Sequence, residues 1–158
     1  MTHVIAFTAL FAACLAYVLI VGGKPERLAV VAMLTAFLVT MFVQSFRWTR
    51  FEHFPLGLAL VDVVLALILT MLALKANRLW PIVLAGMQFA TVLAHIARAL
   101  SLPLSAAGYA IFVQFWGWPM LIVTAAGAYK HRSRIRRLGE EQDWKPLWPH
   151  SVRADFTG

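Results

Sequence analysis

The chain has 158 residues, 61% of them hydrophobic and only 13% charged, with a mean hydropathy of +0.77. That is about half the charged share of a soluble domain, and a spanning helix takes about 20 apolar residues. The composition is therefore that of a polytopic membrane protein, with no length left for a separate nucleotide-binding or nucleic-acid-binding domain. The net charge of +7 is a topology signal before it is a polyanion footprint.

Five uncharged runs of spanning length follow along the chain, at residues 4–22, 27–46, 57–75, 79–100 and 105–129. Within lipid each must be a helix, because an open strand leaves backbone groups unpaired. The first run holds the single cysteine, Cys14, which excludes a disulfide framework or a cysteine cluster within one chain. The stretch Phe11-Ala12-Ala13-Cys14 is similar to a lipoprotein cleavage site, but no Lys or Arg precedes it, so the run is expected to be a retained first span.

The connections are short: Gly22-Gly23-Lys24-Pro25-Glu26, residues 47–55, Lys75-Ala76-Asn77-Arg78 and Ser101-Leu102-Pro103-Leu104. Tight connections place consecutive helices side by side and antiparallel. The expected fold is an all-α, five-helix transmembrane bundle over residues 1–129, followed by a basic, then Trp- and Pro-rich, cytoplasmic tail over residues 130–158. Lys130, Arg132, Arg134, Arg136 and Arg137 hold that tail in the cytoplasm, which leaves the N-terminus outside. Lys24, Arg27, Lys75 and Arg78 fall in inner turns and agree; Arg47, Arg50 and Arg98 fall at outer ends and oppose.

Polar residues within the spans are ordered. Gln88, Thr91, His95 and Arg98 on the fourth run are three, four and three apart and share one helix face. Thr40, Gln44 and Arg47 give a second stripe on the second run. Asp62 is the one acid deep in a span, on a face with Ala59, Ala66 and Ala73, small residues that let helices approach closely. Counted from the outer boundary, Asp62 and His95 both lie about 7 to 8 Å deep. An outward-facing polar crevice is expected from Gln44, Arg47, Asp62, Gln88, His95, Arg98 and Gln114. Its excess of positive charge suits a carboxylate, a phosphate or a lipid headgroup. The competing expectation is a structural ion pair of Asp62 with Arg98 or Arg47 that sets helix register.

Other chemistries find less support. His3, His53 and His95 share the outer side, but no pair has helical ligand spacing, so neither a metal nor haem is expected and no cofactor is implied. Ser45, Ser101 and Ser105 sit where caps and turns need hydroxyls. A dyad of Asp62 and His95 polarising a water is the one enzymatic arrangement conceivable. On the fifth run Trp116 and Trp118 flank a kink expected at Pro119. They form either an aromatic wall for a flat or lipidic ligand, or packing in which an indole N–H reaches a freed carbonyl.

After Tyr129, the cations of residues 130–138 are expected against anionic phospholipid headgroups. Glu140, Glu141 and Asp143 reverse the sign. Residues 144–149, Trp-Lys-Pro-Leu-Trp-Pro, read as a surface anchor or a partner-docking segment.

The pieces Gly22-Gly23-Lys24-Pro25-Glu26-Arg27, Arg47-Trp48, Leu60-Val61-Asp62, Leu79-Trp80-Pro81 and His95-Ile96-Ala97-Arg98 resemble a group of small inner-membrane proteins of alphaproteobacteria. The likeness runs over all five spans. It implies a multi-pass protein of the bacterial inner membrane and brings no activity with it.

The leading functional expectation is a non-enzymatic accessory protein of a larger membrane complex, in contact with lipid and with a membrane-protein partner or a second copy, and not with nucleic acid. A binder or carrier of a small anionic or lipidic ligand is the alternative, with His95 as a possible proton switch. An intramembrane enzyme ranks last.

Overall fold

The computed structural model describes residues 2–45, 56–100, 105–139 and 143–144. Among them lie six helical segments: α1 Thr2–Val21, α2 Lys24–Ser45, α3 Leu56–Lys75, α4 Trp80–Ala99, α5 Ala106–Phe115 and α6 Gly117–Leu138. Four stretches are long and apolar enough to cross a membrane, namely Lys24–Ser45, Leu56–Lys75, Trp80–Ala99 and the combined Ala107–Leu138; α1 contributes the shorter apolar stretch Ile5–Val21.

Prolines set where helices begin. Pro25 and Pro81 fall in the first turns of α2 and α4, where a missing N–H costs nothing. Pro119 does the same by breaking the fifth run: the chain turns at Trp116, so Pro119 stands in the first turn of α6 rather than inside one long helix. At the start of α5 the Ser105 hydroxyl accepts from Gly108 N at 3.0 Å. Gly139, at φ 79°, ends α6 with its N–H on the Ile135 carbonyl at 2.9 Å.

The basic segment after Tyr129, expected as the start of the tail, is helical and continuous with α6, which runs on to Leu138. Asp143 and Trp144 come after it, and Trp144 pairs with Ala76 in an isolated antiparallel bridge. Residues 145–149, the rest of the Trp- and Pro-rich segment, lie outside the described residues.

Consecutive helices pack as neighbours and the ring closes, because α1 packs on α6 as well as on α2, and α6 also touches α2, α4 and α5. The core runs down this ring from Phe11, Cys14 and Val18 on α1 through Val30 and Met33 on α2 to Leu69 and Leu72 on α3, Leu84 on α4 and Leu121 on α6. Phe11 stacks on Phe37 near its end with Phe7 tilted against both, and Trp118 meets Phe7 edge-on with centroids 5.3 Å apart. Large apolar side chains such as Ile20, Phe42, Leu60, Leu74, Leu93 and Ile111 remain exposed on the outer surface, as lipid-facing helices require.

Candidate functional site

The first polar constellation joins α3, α4 and α5 at the bundle end holding the start of α3 and the end of α4. Gln88, Thr91 and His95 point inward from α4, each 3% exposed. Asp62 meets them from α3 along a face on which Ala66 and Ala73 are buried and Ala59 is half-buried. Its carboxylate is occupied on both oxygens: Gln88 Nε2 donates to Oδ1 at 2.8 Å, and His95 Nε2 lies 2.7 Å from Oδ2. The other ring nitrogen, Nδ1, is 2.7 Å from the Tyr109 hydroxyl on α5. The tautomer consistent with Tyr109 donating to Nδ1 carries its proton on Nε2 and gives it to Asp62.

Such a chain can pass a proton between tyrosine and carboxylate; it also fastens three helices. With two N–H donors on the carboxylate and the Tyr109 O–H on the imidazole that bonds it, the part-buried clamp is worth more per bond than on a soluble surface. The Asp62 side chain keeps 23% exposure, so one end of the chain of bonds is open.

The expected crevice is therefore only partly assembled by these contacts. Asp62, Gln88 and His95 come together. Gln44 and Gln114 are exposed, as is Arg98 at the last turn of α4, and Arg47 lies outside the described residues. Tyr109 was missed. It reads as one more apolar residue in the fifth run, and its one usable signal was its place three residues inside a serine-capped helix start at the depth of His95.

Trp116 and Trp118 do not line a common wall. Trp118 packs on Phe7, whereas Trp116 sits edge-on to Phe112 and Phe115, centroids 5.8 and 5.6 Å away. The Trp116 indole N–H is buried without an acceptor among the described residues, so it does not cap a carbonyl freed by the kink.

A second constellation lies at the opposite end of the bundle. Glu26, in the first turn of α2, is 0% exposed and pairs with Arg78, whose side chain is 3% exposed. Trp80 Nε1 donates to the same Glu26 oxygen at 3.1 Å. Arg78 Nη2 reaches His131 Nδ1 on α6 and Asp143 Oδ1 beyond it, both at 2.9 Å. Side chains from α2, α6 and the segment after α6 are thus joined by the guanidinium of the α3–α4 connection, whose planar fork of donors suits that role better than an ammonium, and α4 joins them through the Glu26 carboxylate.

Two glycines make room for this second constellation. A Cβ on Gly23 would stand 2.6 Å from Asp143 Oδ1 and 2.9 Å from the His131 ring, and one on Gly127 would stand 3.1 Å from the Trp80 indole. The sequence pattern assigned Arg78 to topology alone, and the residues after Tyr129 to topology, lipid headgroups and a surface anchor or partner-docking segment, not to the core. The signal that could have found the network is periodic: Glu26 continues the buried face of Ala29, Val30 and Met33, and His131 that of Leu121, Thr124 and Ala128.

Among the described residues no group of three or more His, Cys, Asp or Glu side chains is placed to hold a metal ion. The fold and the two constellations define an all-helical bundle with at least four helices able to cross a membrane, pinned by polar clamps near both ends. Comparison with protein-family models, curated proteins and solved structures gives no match for this chain.

Proposed function

We propose that this chain is a five-span protein of a bacterial inner membrane, N-terminus outside and basic end in the cytoplasm, that acts without catalysis as a subunit, assembly factor or stabiliser of a larger membrane complex. The orientation rests on charge: Lys24, Arg27, Lys75, Arg78 and the cations of residues 130–138 gather at one end of the bundle, against Arg98 at the other among the described residues. The resemblance noted above to small inner-membrane proteins of alphaproteobacteria points the same way.

One observation carries the functional reading. Asp62, within α3, has both oxygens occupied by Gln88 and His95, and the second nitrogen of His95 is engaged by Tyr109. Polar groups spent on one another hold helices in register. What the bundle then offers is surface, including the exposed small residues Ala9, Ala12 and Ala16 on α1, against which a partner helix packs closely.

The test is crosslinking in native membranes followed by purification in mild detergent, with wild type beside Asp62→Asn. The expected result is one defined assembly larger than the monomer, retained by the variant although its melting temperature falls. A protein that runs only as a monomer, with nothing crosslinked to it, sinks the reading.

The residual exposure of Asp62 favours a second reading, a binder or carrier of a small anionic or lipidic ligand at the end bearing Arg98. It requires a copurified small molecule whose retention is lost in Asp62→Asn, and native mass spectrometry reads that directly.

A further inference from the structure

We infer that the outer seam between α1 and α6 is a binding site for one anionic phospholipid, with an acyl chain in the seam and the phosphate at Arg132 and Arg136. The seam is a groove of about 520 Å³, walled by Leu10, Ala13 and Tyr17 on α1 and by Leu121, Ala125 and Tyr129 on α6. That volume lies in the range of small-molecule sites, about 300–1,000 Å³. Except for the two phenols and the Cys14 thiol its walls are hydrocarbon, and Leu10, Ala13 and Tyr129 are exposed, so the groove opens outward rather than into the core.

Charge at the mouth of the groove selects the occupant. Ile122, Ala125, Tyr129, Arg132 and Arg136 follow one another at steps of three, four, three and four, one continuous face of α6. The groove wall thus runs straight into two exposed cations. Tyr17 and Tyr129 close the apolar part at the same end, in the position where amphipathic aromatic rings mark the boundary between hydrocarbon and headgroups.

If Tyr129 sits at that boundary, Arg132 lies about 4.5 Å and Arg136 about 10 Å further out, and long side chains can reach back toward the phosphate layer. An acyl chain alone would fill any lipid-facing groove. Two guanidiniums in register with it add a preference for a negative headgroup, and their fork geometry matches phosphate oxygens. The site needs the basic end to lie at a membrane surface, on whichever side, and is independent of the accessory role proposed above.

The experiment is native mass spectrometry of the delipidated full chain, incubated with equal amounts of phosphatidylglycerol and phosphatidylcholine of the same acyl length, with glycerol 3-phosphate as a separate arm. One phosphatidylglycerol should be retained in preference to phosphatidylcholine, and glycerol 3-phosphate alone should not be retained. Arg132→Gln/Arg136→Gln should cut the preference by roughly thirtyfold, from about fivefold per cation.

Lys130→Gln/Arg137→Gln removes equal charge from positions about a quarter turn or more off the groove face, and should leave most of the preference intact. Ala125→Phe should fill the seam and lower retention of both lipids alike; if that variant elutes as an aggregate, the exposed Ala126→Phe takes its place. Equal retention of the two lipids, or equal loss in the two double variants, would overturn the site in favour of diffuse attraction to a basic surface. Retention of glycerol 3-phosphate on its own, or of lipid in a filled seam, would equally overturn it.

Discussion

Arg78 and Asp62 each bond several partners, and replacing them is costly for different reasons. Arg78 neutralises a fully buried carboxylate, so truncating it leaves Glu26 without its cation. Breaking a buried pair from one side costs about 3–5 kcal/mol, whereas replacing both partners by apolar groups of similar volume is often neutral. Arg78→Met should therefore lower the melting temperature in detergent far more than Glu26→Met/Arg78→Met does. Equal losses in single and double variants would show that the pair is not the source.

At Asp62 an asparagine keeps an acceptor for Gln88 but turns the atom facing His95 Nε2 into a second donor. Asp62→Asn is expected to cost about 1–3 kcal/mol, and Tyr109→Phe, which removes one hydroxyl from His95 Nδ1, about 1 kcal/mol. Thermal unfolding followed by size-exclusion elution ranks the two, and a Tyr109→Phe loss larger than that of Asp62→Asn contradicts the clamp.

Elements are joined by contacts that no single helix contains. The segment after α6 returns to the α3–α4 connection, where Trp144 bridges Ala76 and Asp143 bonds Arg78. Residues opposed across an antiparallel bridge have Cα atoms about 4.5–5.5 Å apart, within the range a disulfide spans. Ala76→Cys/Trp144→Cys, in a Cys14→Ser background, should crosslink in high yield on mild oxidation. Gly23→Leu should reduce that yield several-fold, since even a Cβ at residue 23 meets Asp143 and His131. A yield unchanged by Gly23→Leu would mean that the returning segment is held elsewhere. The break between α5 and α6 obeys the same logic: Pro119 cannot continue a helix from the carbonyl four residues before it, and Trp116 takes the turn.

For the whole molecule, the clustering of cations at one end makes a prediction about orientation. Ser105→Cys, beside the start of α5, should react with an impermeant maleimide added to intact cells, and Gly139→Cys, past the end of α6, only after the membrane is opened. The opposite pattern reverses the proposed topology, and labelling of both from one side removes the fifth span. Neither result touches the clamp geometry, which belongs to the bundle and not to the membrane around it.

Sequence alone determined the helices and one of the two clamps in outline. Uncharged runs of spanning length have one low-energy backbone conformation in hydrocarbon, so the helical runs follow from composition, although the break at Trp116 and the continuation of α6 to Leu138 did not. The steps of three and four from Gln88 to His95 fix a face, and counting along the helices puts Asp62 at the depth of that face. Tertiary structure decided what a periodicity cannot carry, namely how each helix is rotated about its axis relative to its neighbours. That rotation turned Gln44 and Gln114 outward and brought Tyr109 onto His95. It also gathered Glu26, Arg78, His131 and Asp143, which are distant in the chain and individually indistinguishable from a solvated charge run, around one buried guanidinium. A charged residue near a helix end costs little in either water or a paired interior, so its local sequence does not reveal which it occupies; only the packing of the helices does.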